Sequence, residues 1–441
     1  MLDIRWIRQH PEQVQEIAEA KGIEVSIAKL LNWDDKRLAL LQETEQLRQE
    51  RNQLTPRIHR LLQQGEDASA EALRQDVKEL NEKLAGAEGL LQEAEGEYRR
   101  QMACVPNIVS PDTPKGRSDR GNLELKRIGE RPEFDFKPKD HVALGELHQL
   151  IDIPRGVKTA GSRNYYLTGT GALLHRAVQQ LAVDVLLEDG FTLMDVPLMV
   201  RTEAMMNTGF FPLGQDQSFQ MTERDRWLAG TSEVPLVSYY DQEVIDVSSP
   251  IKLAAASLCF RSEVGSAGRD VHGLYRVHQF AKVEQVVLCR NDLEESERLF
   301  QEITTNTERI LQLLELPYRV MAVCTGDMSQ KTYKQVDIET WMPGRQAYGE
   351  THSSSQLLDF QARRSNIRFR DRDGKLHYCY TMNNTAVASP RILIPLLENH
   401  QEADGSIRIP AALRKYMNGM ERLTPPIQTN NGAWQNLLVE P

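Results

Sequence analysis

Apolar residues recur at regular intervals in the first quarter of the chain. Leucines lie seven residues apart at positions 40, 47, 54 and 61. After a Gly-containing break at 63–67, apolar positions alternate steps of three and four from Leu73 to Tyr98, as in a coiled-coil seam. Each narrow stripe needs a partner, so the pattern predicts two helices folded into an antiparallel hairpin over about residues 34–101. A simple coiled-coil stalk for dimerisation would explain the same pattern.

A linker rich in Pro and Gly at residues 105–116 separates this region from the rest of the chain. The later patterns predict helices over 170–187, 292–314 and 389–400, and strands over 191–196, 257–263, 275–288, 318–322, 335–341 and 377–381. Consecutive strands with few crossover helices favour an antiparallel α+β domain. We therefore expect two domains, residues 1–110 and residues 111–441.

The composition is that of a globular protein, with 40% hydrophobic and 26% charged residues in a chain of 441. No run of about 18 apolar residues occurs, and the first residues lack an apolar signal segment. The five cysteines are scattered, which fits a reducing compartment. We expect a cytoplasmic protein that does not span a membrane. The net charge of -10 argues against a general electrostatic binder of nucleic acid.

The predicted hairpin contains one local departure from this acidic balance. Residues 1–100 carry 15 basic and 20 acidic side chains, yet one stretch of the first helix has a single carboxylate, Glu50, among four arginines, Arg48, Arg51, Arg57 and Arg60. The cluster is either a solvated helix face or a localised contact for RNA. Pro56 lies in the same stretch, where it is expected to kink the helix or break its hydrogen-bond ladder.

The segment from Phe260 to Phe280 has the highest density of candidate chemistry. It is predicted to form a strand, a Gly-rich loop and a second strand, with arginines at 261, 269 and 276. A guanidinium presents a planar fork of donors that suits phosphate oxygens, and Phe280 could stack on a base. The alternative is a long hairpin with surface charges. P-loop and dinucleotide-binding glycine motifs are missing, so a nucleotide would be held by another device.

Three further stretches suggest binding groups. Glu350 is followed by hydroxyl-bearing residues that could help it hold a divalent cation, although a Ser-rich loop would look the same. Ser389 and Pro390 predict a helix start that places Arg391 in the first turn, where an anion could bind it. Glu233 and Glu284 are candidates for binding an amine or a hydroxyl; an ordinary structural ion pair is the alternative.

Taken together, these stretches resemble the motifs of class II aminoacyl-tRNA synthetases, and most specifically the seryl-tRNA synthetases. The resemblance is carried by residues 231–233, 260–263, 277–280 and 359–364, and by the strand and helix around Arg391. It extends over nearly the whole chain, including the helical hairpin, which in that family is the tRNA-binding arm. It implies a homodimer whose catalytic domain is an antiparallel sheet flanked by helices.

The resemblance also implies an ATP-dependent ligase with two steps. L-serine and ATP with Mg²⁺ would give seryl-adenylate, and serine would then pass to the 3′ end of tRNA(Ser), with tRNA(Sec) as a further substrate to consider. The alternatives are a paralogue that supplies seryl-adenylate or seryl-tRNA to a biosynthetic or resistance pathway, and a non-catalytic coiled-coil protein that binds RNA or protein.

The implied roles fall on the following positions. Arg261, Glu350 and Arg391 would be catalytic, and Glu350 with Ser353 would hold Mg²⁺. Serine would be bound by Thr231, Ser232, Glu233, Glu284 and Thr385. ATP would be bound by Arg261, Ser262, Glu263, Arg276, Val277, Phe280, Glu350, Thr351, His352, Ser353 and Arg391. The tRNA would meet the arm at Arg48, Arg51, Arg57 and Arg60.

Overall fold

The structure is a computed structural model that describes residues 1–222, 225–265 and 271–426. The chain divides into two compact units, Leu2–Pro106 and Asn107–Pro441, the latter together with Met1. Arg269, predicted above to contribute to a phosphate site, lies outside the described residues. Within those residues, no helix combines the length and apolar character needed to cross a bilayer.

The first unit consists of four helices, α1 (Ile4–Gln9), α2 (Pro11–Ala20), α3 (Ile27–Gln63) and α4 (Asp67–Cys104). The last two form the antiparallel pair predicted from the leucine spacing, joined by a turn in which Gly65 has a φ of 76°. Across the pair, Arg48 Nη2 lies 2.7 Å from Glu88 Oε1, and the Arg37 guanidinium stacks on the Tyr98 ring.

The ends and the continuity of α3 differ from the prediction. The helix begins at Ile27 rather than near Asp34, because the Ser26 hydroxyl accepts a hydrogen bond from Lys29 N and caps it. Asp34 is buried inside the unit between the guanidinium groups of Arg8 and Arg37. The helix also runs without interruption through Pro56, so the expected break does not occur.

The second unit contains nine of the described helices. They are α5 (His141–Leu147), α6 (Ile153–Ala160), α7 (Thr170–Glu188), α8 (Thr202–Asn207), α9 (Glu233–Ser238), α10 (Leu293–Leu313), α11 (Phe360–Ser365), α12 (Leu393–Asn399) and α13 (Ala411–Arg414). The predicted helices over 170–187 and 292–314 are confirmed as α7 and α10. Gly190, with a φ of 79°, follows the end of α7.

Eight strands of this unit form its main sheet, in the order β1, β10, β11, β12, β15, β9, β8 and β4. Their bounds are β1 (Leu123–Ile128), β4 (Thr192–Leu193), β8 (Ile251–Phe260), β9 (Gln279–Cys289), β10 (Tyr318–Ala322), β11 (Lys334–Met342), β12 (Ala347–Leu358) and β15 (Tyr380–Ser389). All neighbours are antiparallel except β4 and β8. This sheet confirms the predicted α+β class.

Short strands complete the unit in four small sheets. These strands are β2 (Ile151–Asp152), β3 (Tyr166–Leu167), β5 (Met199–Arg201), β6 (Phe219–Met221), β7 (Arg226–Leu228), β13 (Arg368–Arg370), β14 (Leu376–Tyr378), β16 (Ile407–Arg408) and β17 (Arg422–Leu423). The largest cluster of buried apolar side chains joins α7, α10 and α12 to the main sheet. Burial of this apolar surface is the main favourable term in the stability of the unit.

Several predicted boundaries are wrong near the main sheet. The segment 191–196 contains only the two-residue strand β4, the segment 257–263 leaves the sheet after Phe260, and the strand predicted over 275–288 begins at Gln279. The segment 377–381 is divided between β14 and β15. In each case the hydrogen bonds to a neighbouring strand decide where the strand ends.

The predicted helix start at Ser389 is also wrong. Ser389 pairs with Ala281 in the sheet, and its hydroxyl lies 2.7 Å from His175 Nδ1, so it does not cap a helix. The helix α12 begins at Leu393, and Arg391 precedes it rather than lying in its first turn. An argument from the helix dipole therefore does not apply to Arg391.

Candidate active site

A cavity of about 330 Å³ lies in the second unit, lined by strands of the main sheet and the segments around them. Most of the predicted binding residues line it: Thr231, Glu233, Arg261, Glu263, Val277, Phe280, Glu284, Glu350, Thr351, His352, Ser353, Thr385 and Arg391. Because the strand order brings together strands that are far apart in the sequence, residues separated by more than a hundred positions share one wall of the cavity.

Three predicted residues do not line the cavity. The Ser232 hydroxyl lies 2.6 Å from the Ser257 hydroxyl, and the Ser262 hydroxyl donates to Asp216 O. Arg276 Nη1 lies 3.3 Å from Glu263 Oε2, so this arginine contacts a residue of the cavity wall. The arm arginines belong to the other unit.

Arg261 is anchored through its Nε, and its two Nη groups remain available in the described part of the chain. It follows the last residue of β8, and its Nε donates to Gly230 O over 3.2 Å. The guanidinium carbon lies 5.4 Å from the centre of the Phe280 ring. Among the described residues no carboxylate or carbonyl accepts a hydrogen bond from its Nη groups, so they can meet an anion in the cavity.

Arg391 approaches the cavity from the segment between β15 and α12. Its Nε donates to Tyr275 O over 2.9 Å, its Nη1 donates to Glu350 O over 3.2 Å, and its guanidinium stacks on the Tyr275 ring. Nearby, burial and the positive charge of Arg391 lower the pKa of His352 to about 3. This histidine is therefore neutral at physiological pH.

Two buried carboxylates in the cavity are each paired with a buried lysine. Glu284 Oε2 lies 2.6 Å from Lys282 Nζ and accepts a longer hydrogen bond from the Thr385 hydroxyl. Glu233 Oε1 lies 2.5 Å from Lys331 Nζ. Burial raises the pKa of Glu284, and the adjacent ammonium group opposes that rise. The sequence left open whether these carboxylates form structural ion pairs or face a ligand. In the structure they do both, because each is paired with a lysine and also lines the cavity.

The two lysines were not predicted from the sequence. Lys282 lies two positions before Glu284 in β9, so both side chains share one face of the strand. That spacing was a usable signal, because a second charged residue on the same face of an apolar strand needs a partner. Lys331 lies in the segment before β11, where no periodic pattern indicates its direction.

A second acidic position accompanies Glu350. Asp337 pairs with Ser353 across β11 and β12, and the Gln335 amide donates to Asp337 Oδ1 and to the Ser353 hydroxyl. Burial and the charge of Glu350 raise the pKa of Asp337 well above its usual range. Sequence inspection missed Asp337 because its relation to Glu350 depends on the strand register.

Oxygen ligands of this kind suit Mg²⁺ better than a transition metal. Within the described residues, no group of three or more His, Cys, Asp or Glu side chains is arranged to hold a metal ion. The protein groups near Glu350 and Ser353 could therefore supply only part of a Mg²⁺ coordination shell. Waters and substrate oxygens would complete the shell, as is common for this ion.

The antiparallel sheet and the arginine-bearing cavity define the catalytic core of a class II aminoacyl-tRNA synthetase. Residues 218–400 match the family model described as the tRNA synthetase class II core domain (G, H, P, S and T). Residues 1–109 match the model of the seryl-tRNA synthetase N-terminal domain. The chain therefore belongs to the seryl-tRNA synthetase family, and its activity is that of a serine–tRNA ligase.

Individual relatives support this assignment over nearly the full length. The chain is 44% identical to the serine–tRNA ligase of Deinococcus radiodurans, over 97% of this chain and 100% of the relative. It is 39% identical to that of Rubrobacter xylanophilus, over 96% and 99% respectively. These matches confirm the family, the fold class and the ligase activity predicted from the sequence.

Solved structures give the same result. The seryl-tRNA synthetase from Pyrococcus horikoshii, crystallised with ATP, superposes with a TM-score of 0.87 at 35% identity, covering 96% of this chain and 100% of that one. The cytoplasmic serine–tRNA ligase from Naegleria fowleri, in complex with AMP, gives 0.82 at 26% identity, covering 96% and 98%.

Proposed function

We propose that the cavity binds L-serine and ATP with Mg²⁺ and forms seryl-adenylate. A serine carboxylate oxygen attacks the α-phosphorus, a new P–O bond forms, and pyrophosphate leaves. The 3′-terminal adenosine hydroxyl of tRNA(Ser) then attacks the serine carbonyl carbon and AMP leaves. The observation that carries the proposal is that the lysine-paired carboxylates Glu233 and Glu284 line the same cavity as two arginines, Arg261 and Arg391. The described part of the chain supplies no carboxylate partner for either arginine.

Charge neutralisation is the main requirement of the first step, because negative charge is concentrated on the phosphoryl group as it is transferred. Arg261 would hold the α-phosphate and the attacking carboxylate, since none of the described residues accepts a hydrogen bond from its two Nη groups. Arg391 would bind the terminal phosphates, and Arg276 would help them or hold Glu263 in place. Phe280 would stack on the adenine, with Glu263 and Val277 at its edge. The relatives crystallised with ATP or AMP support the nucleotide.

Mg²⁺ would bind at Glu350 and Ser353 and would neutralise phosphate charge. The two oxygen donors line the cavity. Asp337 pairs with Ser353 across the sheet. It would accept a hydrogen bond from the Ser353 hydroxyl or from a water molecule, and would not contact the metal directly. The backbone and side chains of Thr351 and His352 would complete this wall of the nucleotide site.

Serine recognition would combine two carboxylates with hydroxyl groups. Glu233 and Thr231 would bind the substrate ammonium, and Glu284 with Thr385 would bind its hydroxyl. An alanine substrate would leave Glu284 Oε1 without a hydrogen-bond donor, which gives strong discrimination. Ser232 would contribute through its backbone at the start of α9, because its side chain is bonded to Ser257.

The helical unit would bind tRNA, so we propose residues 1–110 as a tRNA-binding domain and residues 111–441 as the catalytic domain. Arg51, Arg57 and Arg60 lie outside the ion pair that Arg48 makes with Glu88. We also propose that the protein is a homodimer and that it acts in the cytoplasm. Two-fold symmetric dimers are the commonest oligomers among soluble proteins. Removing residues 41–95, which pair with each other along the hairpin, should spare adenylate formation and abolish tRNA charging.

Serine-dependent exchange of pyrophosphate into ATP, followed by charging of tRNA(Ser) with serine and with threonine, tests the proposal. We expect exchange and charging with serine, and little of either with threonine; tRNA(Sec) serves as a further acceptor. Exchange without charging of any tRNA would identify a protein that supplies only the adenylate. The absence of exchange would overturn the proposed chemistry.

A further inference from the structure

Lys331 is a buried lysine of the cavity wall to which none of the roles above gives a function. Its side chain is 9% exposed and its Nζ lies 2.5 Å from Glu233 Oε1. The same nitrogen lies 3.8 Å from the centre of the Phe210 ring. Burial lowers the pKa of Lys331, and the Glu233 carboxylate opposes that change. Burying an ammonium is unfavourable unless a partner uses its charge.

The hydrogen bonds to Glu233 within the described residues all go to one carboxylate oxygen, Oε1, so Oε2 is available to a ligand. Oε1 accepts from Lys331 Nζ and, over 2.7 Å, from Gln361 Nε2. The Gln361 amide is itself fixed, because its nitrogen also donates to Thr208 O and its oxygen accepts from the Thr381 hydroxyl. Among the described residues no donor contacts Glu233 Oε2.

Glu284, which also pairs with a buried lysine in the cavity, has the same arrangement. Glu284 Oε2 is bound by Lys282 and Thr385, while no described residue donates to its Oε1. A lysine on one oxygen thus leaves the second oxygen available in both cases. Lys282 is a neighbour of Glu284 along the same strand, whereas Lys331 reaches Glu233 from a residue 98 positions away.

We infer that Lys331 is a positioning residue for substrate recognition: it pairs with Glu233 Oε1 and keeps the carboxylate turned so that Oε2 faces the substrate ammonium. The inference rests on the proposed role of Glu233 in binding that ammonium. Lys331 does not contact the reacting atoms. It acts through the carboxylate, and Gln361 fixes the rotation of the same group from the other side.

The charges around Glu233 determine what the loss of Lys331 does. Lys331 is the cation in direct contact with Glu233, while Lys282 and Glu284 are the other charged groups that act on Lys331. Without Lys331, the described contacts leave Gln361 as the side chain that holds Glu233 Oε1, so the carboxylate is less firmly oriented towards an ammonium. The arginines that face the proposed phosphate positions are unchanged. The effect should therefore fall on serine and not on ATP.

The test compares Lys331→Met, Glu233→Gln, the double variant and the control Lys334→Met in steady-state pyrophosphate exchange. Lys334 also pairs with carboxylates, Asp112 and Glu297, but lies outside the cavity wall. We expect Lys331→Met to raise the serine KM by at least about ten-fold, with the ATP KM unchanged. The control should match the wild type.

The double variant separates positioning from direct contact. It should have the same serine KM as Glu233→Gln, since Lys331 has nothing left to position. It also remains informative if Lys331→Met fails to fold, because replacing both members of a buried pair is tolerated better than replacing one. A double variant much weaker than Glu233→Gln would show that Lys331 binds substrate itself and would overturn the inference.

The remaining outcomes distinguish this inference from the proposed function. A wild-type serine KM in Lys331→Met, together with a raised KM in Glu233→Gln, would overturn the role of Lys331 alone. A wild-type serine KM in Glu233→Gln would overturn the proposed role of Glu233, on which the inference rests. A KM raised equally for serine and ATP in Lys331→Met would indicate a general structural role and would also overturn it.

Discussion

Replacing Arg261 by alanine should nearly abolish adenylate formation while the fold persists. Its Nε is bonded to Gly230 O, and its two Nη groups have no partner among the described residues. Each hydrogen bond from the guanidinium to a phosphoryl or carboxylate oxygen contributes about 1.5–3 kcal/mol. Losing two of them in the transition state should therefore lower kcat/KM for exchange by roughly 10²- to 10⁴-fold.

The cost to stability is smaller and can be worked from the same contacts. The variant loses one hydrogen bond to a carbonyl, worth about 1 kcal/mol, and a cation–π contact with Phe280, worth about 0.5–1 kcal/mol. The sum of about 1.5–2 kcal/mol leaves a folded enzyme. Arg131→Ala is the matched control, because Arg131 stacks on Trp341 outside the cavity wall.

The assay is serine-dependent pyrophosphate exchange, with thermal unfolding measured on the same samples. Arg261→Lys should lie between the wild type and Arg261→Ala, since a lysine keeps the charge but not the planar fork. The reasoning would be refuted by a folded Arg261→Ala enzyme whose kcat/KM stays within about ten-fold of the wild type. An equal loss of activity in Arg131→Ala would also refute it. That result would attribute the loss in Arg261→Ala to a missing cation–π contact rather than to missing phosphate contacts.

Three further predictions concern stability. The pKa of His352 is lowered to about 3. Below about pH 6.5 the unfolded chain therefore binds a proton at this residue that the native state does not, and each further pH unit lowers the free energy of unfolding by roughly 1.4 kcal/mol. His352→Leu should reduce the loss of thermal stability between neutral and acidic pH. The pKa of Asp337 is raised, so its ionisation destabilises the native state as the pH rises, and the gain in Tm from Asp337→Asn should be larger in alkaline than in acidic buffer. Pro56→Ala should stabilise the helical hairpin by about 1–3 kcal/mol, because alanine restores an N–H donor inside α3; slower hydrogen exchange in α3 would confirm it, and unchanged exchange would contradict it.

Local patterns predicted the elements whose stability is mostly local. The seven-residue leucine spacing was sufficient for the hairpin, because neighbouring turns of each helix present one stripe and the turn between them is short. The strand over Tyr318–Ala322 was also predicted with its observed bounds. Its short apolar and β-branched sequence, with Tyr318, Val320 and Met321 buried, is a local signal for a strand.

Predictions failed where a distant partner decides the local structure. A Ser-Pro pair is a good helix start in isolation, yet Ser389 is held in the sheet by pairing with Ala281 and by its contact with His175. The same reason explains the missed site residues. Lys331 and Glu233 meet only because the sheet brings separate segments together, and the register of β11 against β12 places Asp337 beside Ser353.

The negative net charge of the chain does not prevent it from binding anionic substrates. The local electrostatic field depends on which charged side chains are paired, not on the total number of each sign. In the cavity, Glu284 and Glu233 are each matched by a lysine. Within the described segments, Arg261 and Arg391 donate to carbonyl groups rather than carboxylates, so their charges would be available to the phosphates in the proposed reaction. The same argument applies to the helical hairpin. One stretch of α3 carries an excess of arginines although residues 1–100 have a negative net charge. Acidic surface elsewhere then limits non-specific attraction of nucleic acid, and binding depends on the places where cations lack carboxylate partners.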